Sequence, residues 1–240
     1  MDKIGILNKE DIVDLSKIKG SIWFDGEIID WQDANVHLLT HTLHYGLGVF
    51  EGVRAYNTPK GSSIFRLEDH TNRLFKSAET VSMRIPFSKS QLNVAHEQII
   101  KLNSLTEAYI RPMCFYGSEG MGLRADNLEV HCMVAAWEWP SYMEPEAREK
   151  GIKVKLSSHA RQVRNPISSA KVNGNYVHSI VALNEALNEG FDEALMLDAE
   201  GNVAEGSGEN FFIVKDNVLI TPDLDASLDG ITRRTILDLA

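Results

Sequence analysis

Ser168-Ser169-Ala170-Lys171-Val172-Asn173-Gly174-Asn175-Tyr176 sets one lysine among small and polar residues, and Tyr176 opens an apolar pattern continued by Ile180, Leu183 and Leu187. That spacing predicts a helix with the lysine at its start and Gly190 as its stop. A lysine on a surface helix usually has carboxylates and long side chains as neighbours. Ser, Ala, Gly and Asn instead leave room for something bulky beside the amine. Further along, Ala204-Glu205-Gly206-Ser207-Gly208-Glu209-Asn210 sets a carboxylate against two glycines.

An amine, a phenol and a sheltered carboxylate are the groups that pyridoxal phosphate chemistry requires: one bonds the aldehyde, one meets the ring hydroxyl, one meets the pyridine nitrogen. Lys171 alone reads more readily as a solvated residue at a helix start. Tyr176 and Glu205 reverse that reading.

Bulk properties bound the alternatives. With 240 residues and 43% apolar composition, the chain can build one large or two ordinary cores. A net charge of -10 without any Lys/Arg block argues against nucleic acid or an anionic membrane as partner. No apolar run reaches membrane-spanning length, and the opening residues lack the apolar centre of a signal peptide, which makes the cytoplasm the expected compartment. Cys114 and Cys132 form no CxxC pair and are expected to be reduced thiols.

Taken in order, residues 1–20 read as a polar lead-in with one short helix around Ile12, Leu15 and Ile18. Residues 21–31 read as a hairpin about Asp25-Gly26. His37, His41 and His44 follow at helical spacing. No nearby carboxylate or cysteine completes a ligand set, so histidines packed at a helix end are the better reading and no metal site is assigned. Gly46, Gly48 and Gly52 precede a strand rather than a helix, which excludes a dinucleotide loop and points to close backbone approach. A loop over 57–62 and a strand over 63–66 come next. Helices are predicted from Leu67 to Val81, with Arg73 inside, and from Ser88, where Gln91 completes a capping box. Strands are predicted over 108–116 and 130–137, with Pro112 placing the first at an edge or a bulge. Two prolines, Pro140 and Pro145, mark a boundary. This gives a small N-terminal α/β domain over 1–138, a linker over 139–146 and a C-terminal domain over 147–240. The latter holds a strand at 152–157, the lysine helix, strands near 193–198, 203, 211–214 and 218–221, and a helix after Gly230 whose free N–H groups suit a phosphate.

Five ordered blocks now stand together: His44-Tyr45-Gly46, Val49-Phe50-Glu51-Gly52-Val53-Arg54, Ala108-Tyr109-Ile110-Arg111-Pro112, Ala170-Lys171 with Gly174-Asn175-Tyr176, and Glu205-Gly206-Ser207-Gly208-Glu209-Asn210. On these, the chain from about Ser21 to Ala240 resembles the class IV pyridoxal phosphate transaminases, and among them the bacterial branched-chain amino acid aminotransferases. The resemblance implies a two-domain α/β fold of the D-amino acid aminotransferase type. It implies Lys171 as the cofactor-bonding and proton-shuttling residue, Tyr176 at the ring oxygen and Glu205 at the pyridine nitrogen. Arg73 and the backbone N–H groups of Ile231 and Thr232 would receive the phosphate, and Leu228 would pack on the ring. Tyr45, Phe50, Trp139 and Tyr142 would form the apolar substrate pocket, with Tyr109 and Arg111 receiving a carboxylate, including that of glutamate. The implied reaction moves the amino group of leucine, isoleucine or valine to 2-oxoglutarate, in a homodimer or higher homo-oligomer.

Family members continue for some tens of residues beyond the uncapped periodic face that ends at Ala240, including a Gly-Thr-Ala-type turn, so the C-terminal domain is expected to be incomplete. The rivals are a D-amino acid transaminase, an aminodeoxychorismate lyase and a non-catalytic cofactor-binding protein. Gly174-Asn175-Tyr176 and Tyr109-Ile110-Arg111 speak against the first two.

Overall fold

The computed structural model describes residues 13–139, 145–161 and 167–240. They fall into two compact units. One holds Asp14–Trp139 together with Ala170–Gly174; the other holds the remaining described residues.

The first unit is built on a seven-stranded antiparallel sheet. Asp25 and Gly26 both take positive φ, at 49° and 96°, as the two-residue turn between β1 (Ser21–Phe24) and β2 (Glu27–Asp30) requires. The predicted lead-in helix reduces to a 3-10 turn at Leu15–Lys17 capped by Asp14, and Ile12 lies outside the described residues. Of the histidine run, only His41–Tyr45 is helical, α1, because Gly46 at φ 69° turns the chain left-handed and ends it. Strands β3 (Gly48–Phe50), β4 (Val53–Thr58) and β5 (Gly61–Ile64) follow. The loop expected over 57–62 is shorter than predicted: β4 and β5 pair to Thr58↔Gly61, which leaves Pro59-Lys60 as the turn.

Helices α2 (Leu67–Thr80) and α3 (Lys89–Leu102) cover one face of this sheet, and the Ser88–Gln91 capping box is formed. Strands β6 (Ala108–Tyr116) and β7 (Val130–Trp137) have the predicted spans, and they pair with each other from Tyr109↔Trp137 to Tyr116↔Val130. Alternation sends Ala108, Ile110 and Cys114 into the core with Leu74, Leu92 and Ile99, while Tyr109, Arg111 and Met113 occupy the opposite face. Cys114 and Cys132 are free, buried and in register, with sulfurs 3.2 Å apart.

Pro112 does not lie at an edge, since β6 is paired on both sides. Its carbonyl accepts the Glu51 N–H at 3.0 Å, so its missing donor faces Glu51-Gly52, where the neighbouring strand is interrupted between β3 and β4. A proline is tolerated there because no ladder bond is lost.

In the second unit, α4 (Pro145–Lys150) precedes β8 (Val154–Leu156), a shorter strand than the predicted 152–157. Helix α5 (Tyr176–Asn188) connects β8 to the parallel strand β9 (Glu193–Leu197), with β10 (Val203–Gly206) antiparallel on the other side of β9. The buried face of α5 is Ser179, Ala182 and Ala186, not the predicted Ile180 and Leu187, which are exposed. Small residues let the helix approach Ala194 and Met196 closely, and that contact decides its rotation. β11 (Ile213–Lys215) and β12 (Val218–Ile220) form a separate hairpin, and α6 (Ile231–Leu239) starts after Gly230. Among the described residues no helix is long and apolar enough to cross a membrane.

Candidate active site

Helix α2 organises the site in the first unit. His70, Arg73 and Ser77 stand three and four residues apart and so share one face. All three are buried. Arg73 donates from Nε and Nη2 to the two oxygens of Glu51, each at 2.7 Å, and His70 Nδ1 lies 2.8 Å from Glu51 Oε2. Burial pushes the Glu51 carboxyl up, but the bonds from Arg73 and His70 outweigh it and hold the group below the usual carboxylate range. Ser77 Oγ accepts the backbone N–H of Lys171 at 3.0 Å.

The lysine is not on a helix. Val172 forms a single bridge to Val49 of β3, and Asn173–Asn175 then make a 3-10 turn leading into α5; the Phe50 N–H donates to the Lys171 carbonyl at 3.2 Å and the Gly174 N–H to Gly46 at 3.0 Å. A side chain at Gly46 would meet Gly174 Cα at 3.1 Å. The expected close backbone approach is found at Gly46, whereas a side chain at Gly48 or Gly52 would meet other side chains, those of Thr42 and Tyr109 first. The Lys171 amine lies 4.8 Å from the Phe50 ring centroid. Desolvation pulls its pKa down to about 8, with Glu51 opposing and Arg73 reinforcing the shift.

Arg111 lies over the same Phe50 ring at 4.6 Å and donates from Nη2 to the Tyr109 hydroxyl at 2.7 Å. Its buried Nε has no partner among the described residues. Tyr109 meets Trp139 edge-on at 4.7 Å, and Gly52 leaves the space that the Tyr109 hydroxyl fills. Arg111 and Trp139 also line a groove of about 700 Å³ walled by Trp31, Met113, Phe115 and Trp137. An aromatic surface with an unsatisfied guanidinium nitrogen can hold an apolar chain or a carboxylate.

In the second unit, Glu205 follows a register shift in β10 at Ala204, and a bulge of this kind re-aims the side chain after it. Arg161 Nη2 pairs with Glu205 Oε1 at 2.7 Å, and the Leu228 N–H donates to Oε2 at 2.8 Å. Arg161 is itself braced on the Ala226 carbonyl at 3.1 Å. Glu209 is pushed up to about 7, by burial first and then by facing Glu193 and Glu205. Asn210 donates to the Leu228 carbonyl at 2.8 Å and would collide with any side chain at Gly230, which heads α6 without a side-chain cap. The first N–H groups of a helix so headed, at Ile231 and Thr232, are the kind that bind anions.

Of the residues singled out in the sequence, Phe50, Arg73, Tyr109, Arg111, Trp139 and Lys171 lie in the first unit, and Tyr176, Glu205, Leu228, Ile231 and Thr232 in the second. Tyr45 is exposed on α1, packs on His41 at 4.5 Å, and accepts the Gly122 N–H at 3.1 Å. Tyr142 lies outside the described residues. His41 is buried and bonds the Gly122 carbonyl, as expected of a packed histidine, while His44 is exposed and bonds the Leu38 carbonyl. Sequence reasoning gave no role to Glu51, His70, Ser77 or Arg161. The i, i+3, i+7 spacing of 70, 73 and 77 was the available signal; nothing local marks Arg161.

Each unit by itself carries groups of the kind pyridoxal phosphate needs: a desolvated amine shifted toward neutrality and a buried arginine in the first, a buried carboxylate and an open helix start in the second. The sequence pattern described as Amino-transferase class IV matches residues 48–240. The chain belongs to the class IV aminotransferase family. The branched-chain-amino-acid aminotransferase of Pseudomonas aeruginosa is 59% identical over 222 residues, covering 92% of this chain and 72% of the relative. The crystal structure of the Escherichia coli branched-chain amino acid aminotransferase superposes with a TM-score of 0.90 at 42% identity, over 93% of this chain and 74% of that one. That of the T.th. branched-chain amino acid aminotransferase complexed with N-(5'-phosphopyridoxyl)-L-glutamate does so at 0.88 and 43% identity, over 93% and 73%.

Proposed function

We propose that this chain transfers the amino group of L-leucine, L-isoleucine or L-valine to 2-oxoglutarate with pyridoxal phosphate as cofactor. The observation that carries the reading is the desolvated Lys171 amine beside Phe50, with Arg111 on the same ring. The names of the similar proteins and the phosphopyridoxyl-glutamate bound by one of them support it.

When bound, pyridoxal phosphate supplies an aldehyde for an amine to attack and a ring that accepts electrons. The protein supplies binding, orientation and proton transfer. With its pKa near 8, roughly a tenth of Lys171 is neutral at pH 7, against fewer than one in a thousand for an ordinary lysine. Lys171 would be the residue that holds the cofactor through its aldehyde, with loss of water, and its neutral amine is the group able to accept the proton from the substrate's α-carbon. Glu205 provides the carboxylate for the ring nitrogen, Tyr176 a hydroxyl for the ring oxygen, and Leu228 an apolar contact for the ring. Arg73 and the N–H groups of Ile231 and Thr232 receive the phosphate. Phe50, Tyr45, Trp139 and Tyr142 shelter the branched chain, and Tyr109 and Arg111 take the glutamate carboxylate.

The working protein is a cytoplasmic homo-oligomer, at least a dimer, and residues 139–146 are the linker between its two domains. Its acidic charge and the exposed Leu38 and Leu123 support that reading. Sedimentation at no less than twice the chain mass is the expected result. The test of activity is the visible spectrum of the cofactor-loaded chain. L-leucine should bleach it and 2-oxoglutarate restore it, with D-alanine inert; a spectrum that ignores L-leucine removes the assignment.

A further inference from the structure

We infer that Glu51 is the positioning residue that fixes the Arg73 guanidinium for the phosphate of the cofactor. This rests on Arg73 being a phosphate ligand, as proposed above.

Glu51 is fully buried, and its charge is spent on two partners from one helix: both nearer nitrogens of Arg73 and the His70 imidazole. A buried ion pair adds little stability compared with an apolar replacement of the same volume, so its presence calls for another account. Geometry supplies one. An arginine side chain is long and rotatable, but a two-point bond at 2.7 Å to each oxygen fixes both the plane and the turn of the guanidinium. The donors on the other side of that plane are then directed away from Glu51. The carboxylate is fixed in turn by its own backbone, whose N–H is held by Pro112, and by the next residue back, Phe50, which is tied to the Lys171 carbonyl. One short stretch thus sets the arginine and the lysine in a common frame.

A lone arginine would attract a dianion more strongly at a distance. Glu51 gives up part of that attraction and gains a pre-set fork, so the two effects predict opposite outcomes for its removal.

The test compares binding of pyridoxal phosphate with that of pyridoxal, which lacks the phosphate, by equilibrium dialysis of the full chain. The ratio of the two affinities isolates the phosphate contribution. Glu51→Gln is expected to lower this ratio about tenfold or more while pyridoxal binding stays nearly unchanged, the size of loss usual when a partner behind a ligand is removed. Glu51→Asp keeps the charge, and hence the fold, but is too short to reach Arg73 and His70 together; it should lower the ratio too. Adding Glu51→Gln to Arg73→Lys should cost nothing beyond Arg73→Lys alone, because both act through one contact. If Glu51→Gln raises the ratio, charge rather than position governs the site and the inference falls. It also falls if both Glu51 variants keep the wild-type ratio while Arg73→Lys loses it, a result that leaves the arginine's own role standing. If Arg73→Lys keeps the ratio, or the unmutated chain shows no preference for the phosphate form, the underlying reading of Arg73 is the part that fails.

Discussion

Lys171 shows how one residue's function is set against its stability. An ammonium that loses its water is costly, and the fold holds this one over Phe50, where Arg73 and Arg111 also disfavour its charge and Glu51 and Tyr109 oppose the shift. In the unfolded chain the amine titrates near 10.4; folded, it titrates near 8. Between those values the unfolded state binds the extra proton, so stability rises as pH climbs through the window, and below it the full cost is present. Lys171→Met removes the titration. The melting temperature of that variant should exceed the wild type's by most at pH 7, and the gap should shrink toward pH 10. A gap that is constant with pH would show that the amine is not desolvated in the folded protein.

At the scale of elements, local chemistry decided where the helices and strands begin. The Ser88–Gln91 box is closed in both directions, the side chain of each residue bonded to the other's backbone. Ser88→Ala should therefore lower stability by about 1 kcal/mol, read as a shift of the urea midpoint without a change of slope; an unmoved midpoint would mean α3 is held by packing alone. The same kind of signal made the Asp25-Gly26 turn, the β6 and β7 spans and the start of α6 readable from the sequence. Features set by distant partners were not readable. The face of α5 is chosen by how near Ala182 and Ala186 can come to β9, although Ile180 and Leu187 carry the larger apolar side chains. Pro112 looked like an edge residue because the interruption it faces lies sixty residues upstream at Glu51-Gly52. Arg73 stands next to the apolar stripe of its helix, and the sequence does not show that Glu51, between β3 and β4, draws it into that buried face; Arg161 became part of the site only when Glu205 folded back onto it. Lys171, Tyr176 and Glu205 stood out because their glycine-rich and small neighbours are unusual in themselves.

For the molecule as a whole, the notable feature is that the chain, having left the first unit after Trp139, returns to lay Ala170–Gly174 into it. The lysine is thus held by a unit to which most of its sequence neighbours do not belong. Val172 is almost fully buried there and covers Val49, which is wholly buried. Burying one valine is worth roughly 1.5–3 kcal/mol. The three backbone bonds to Phe50, Gly46 and Ser77 add about 0.5–1.5 kcal/mol each before the cost of ordering the segment. A protein ending at Trp139 lacks all of these contacts and leaves the edge of β3 open. It should melt below the corresponding transition of the full chain and bind a hydrophobic dye. A synthetic peptide covering residues 168–176 should raise its melting temperature, by an amount that grows with the logarithm of peptide concentration once this exceeds the Kd, as any ligand of the folded state does. The same peptide carrying Val172→Asp should not, because an unpaired carboxylate cannot enter that core. Equal stabilisation by both peptides would mean that the inserted segment does not complete the core of the first unit, and that Lys171 is positioned by some other contact.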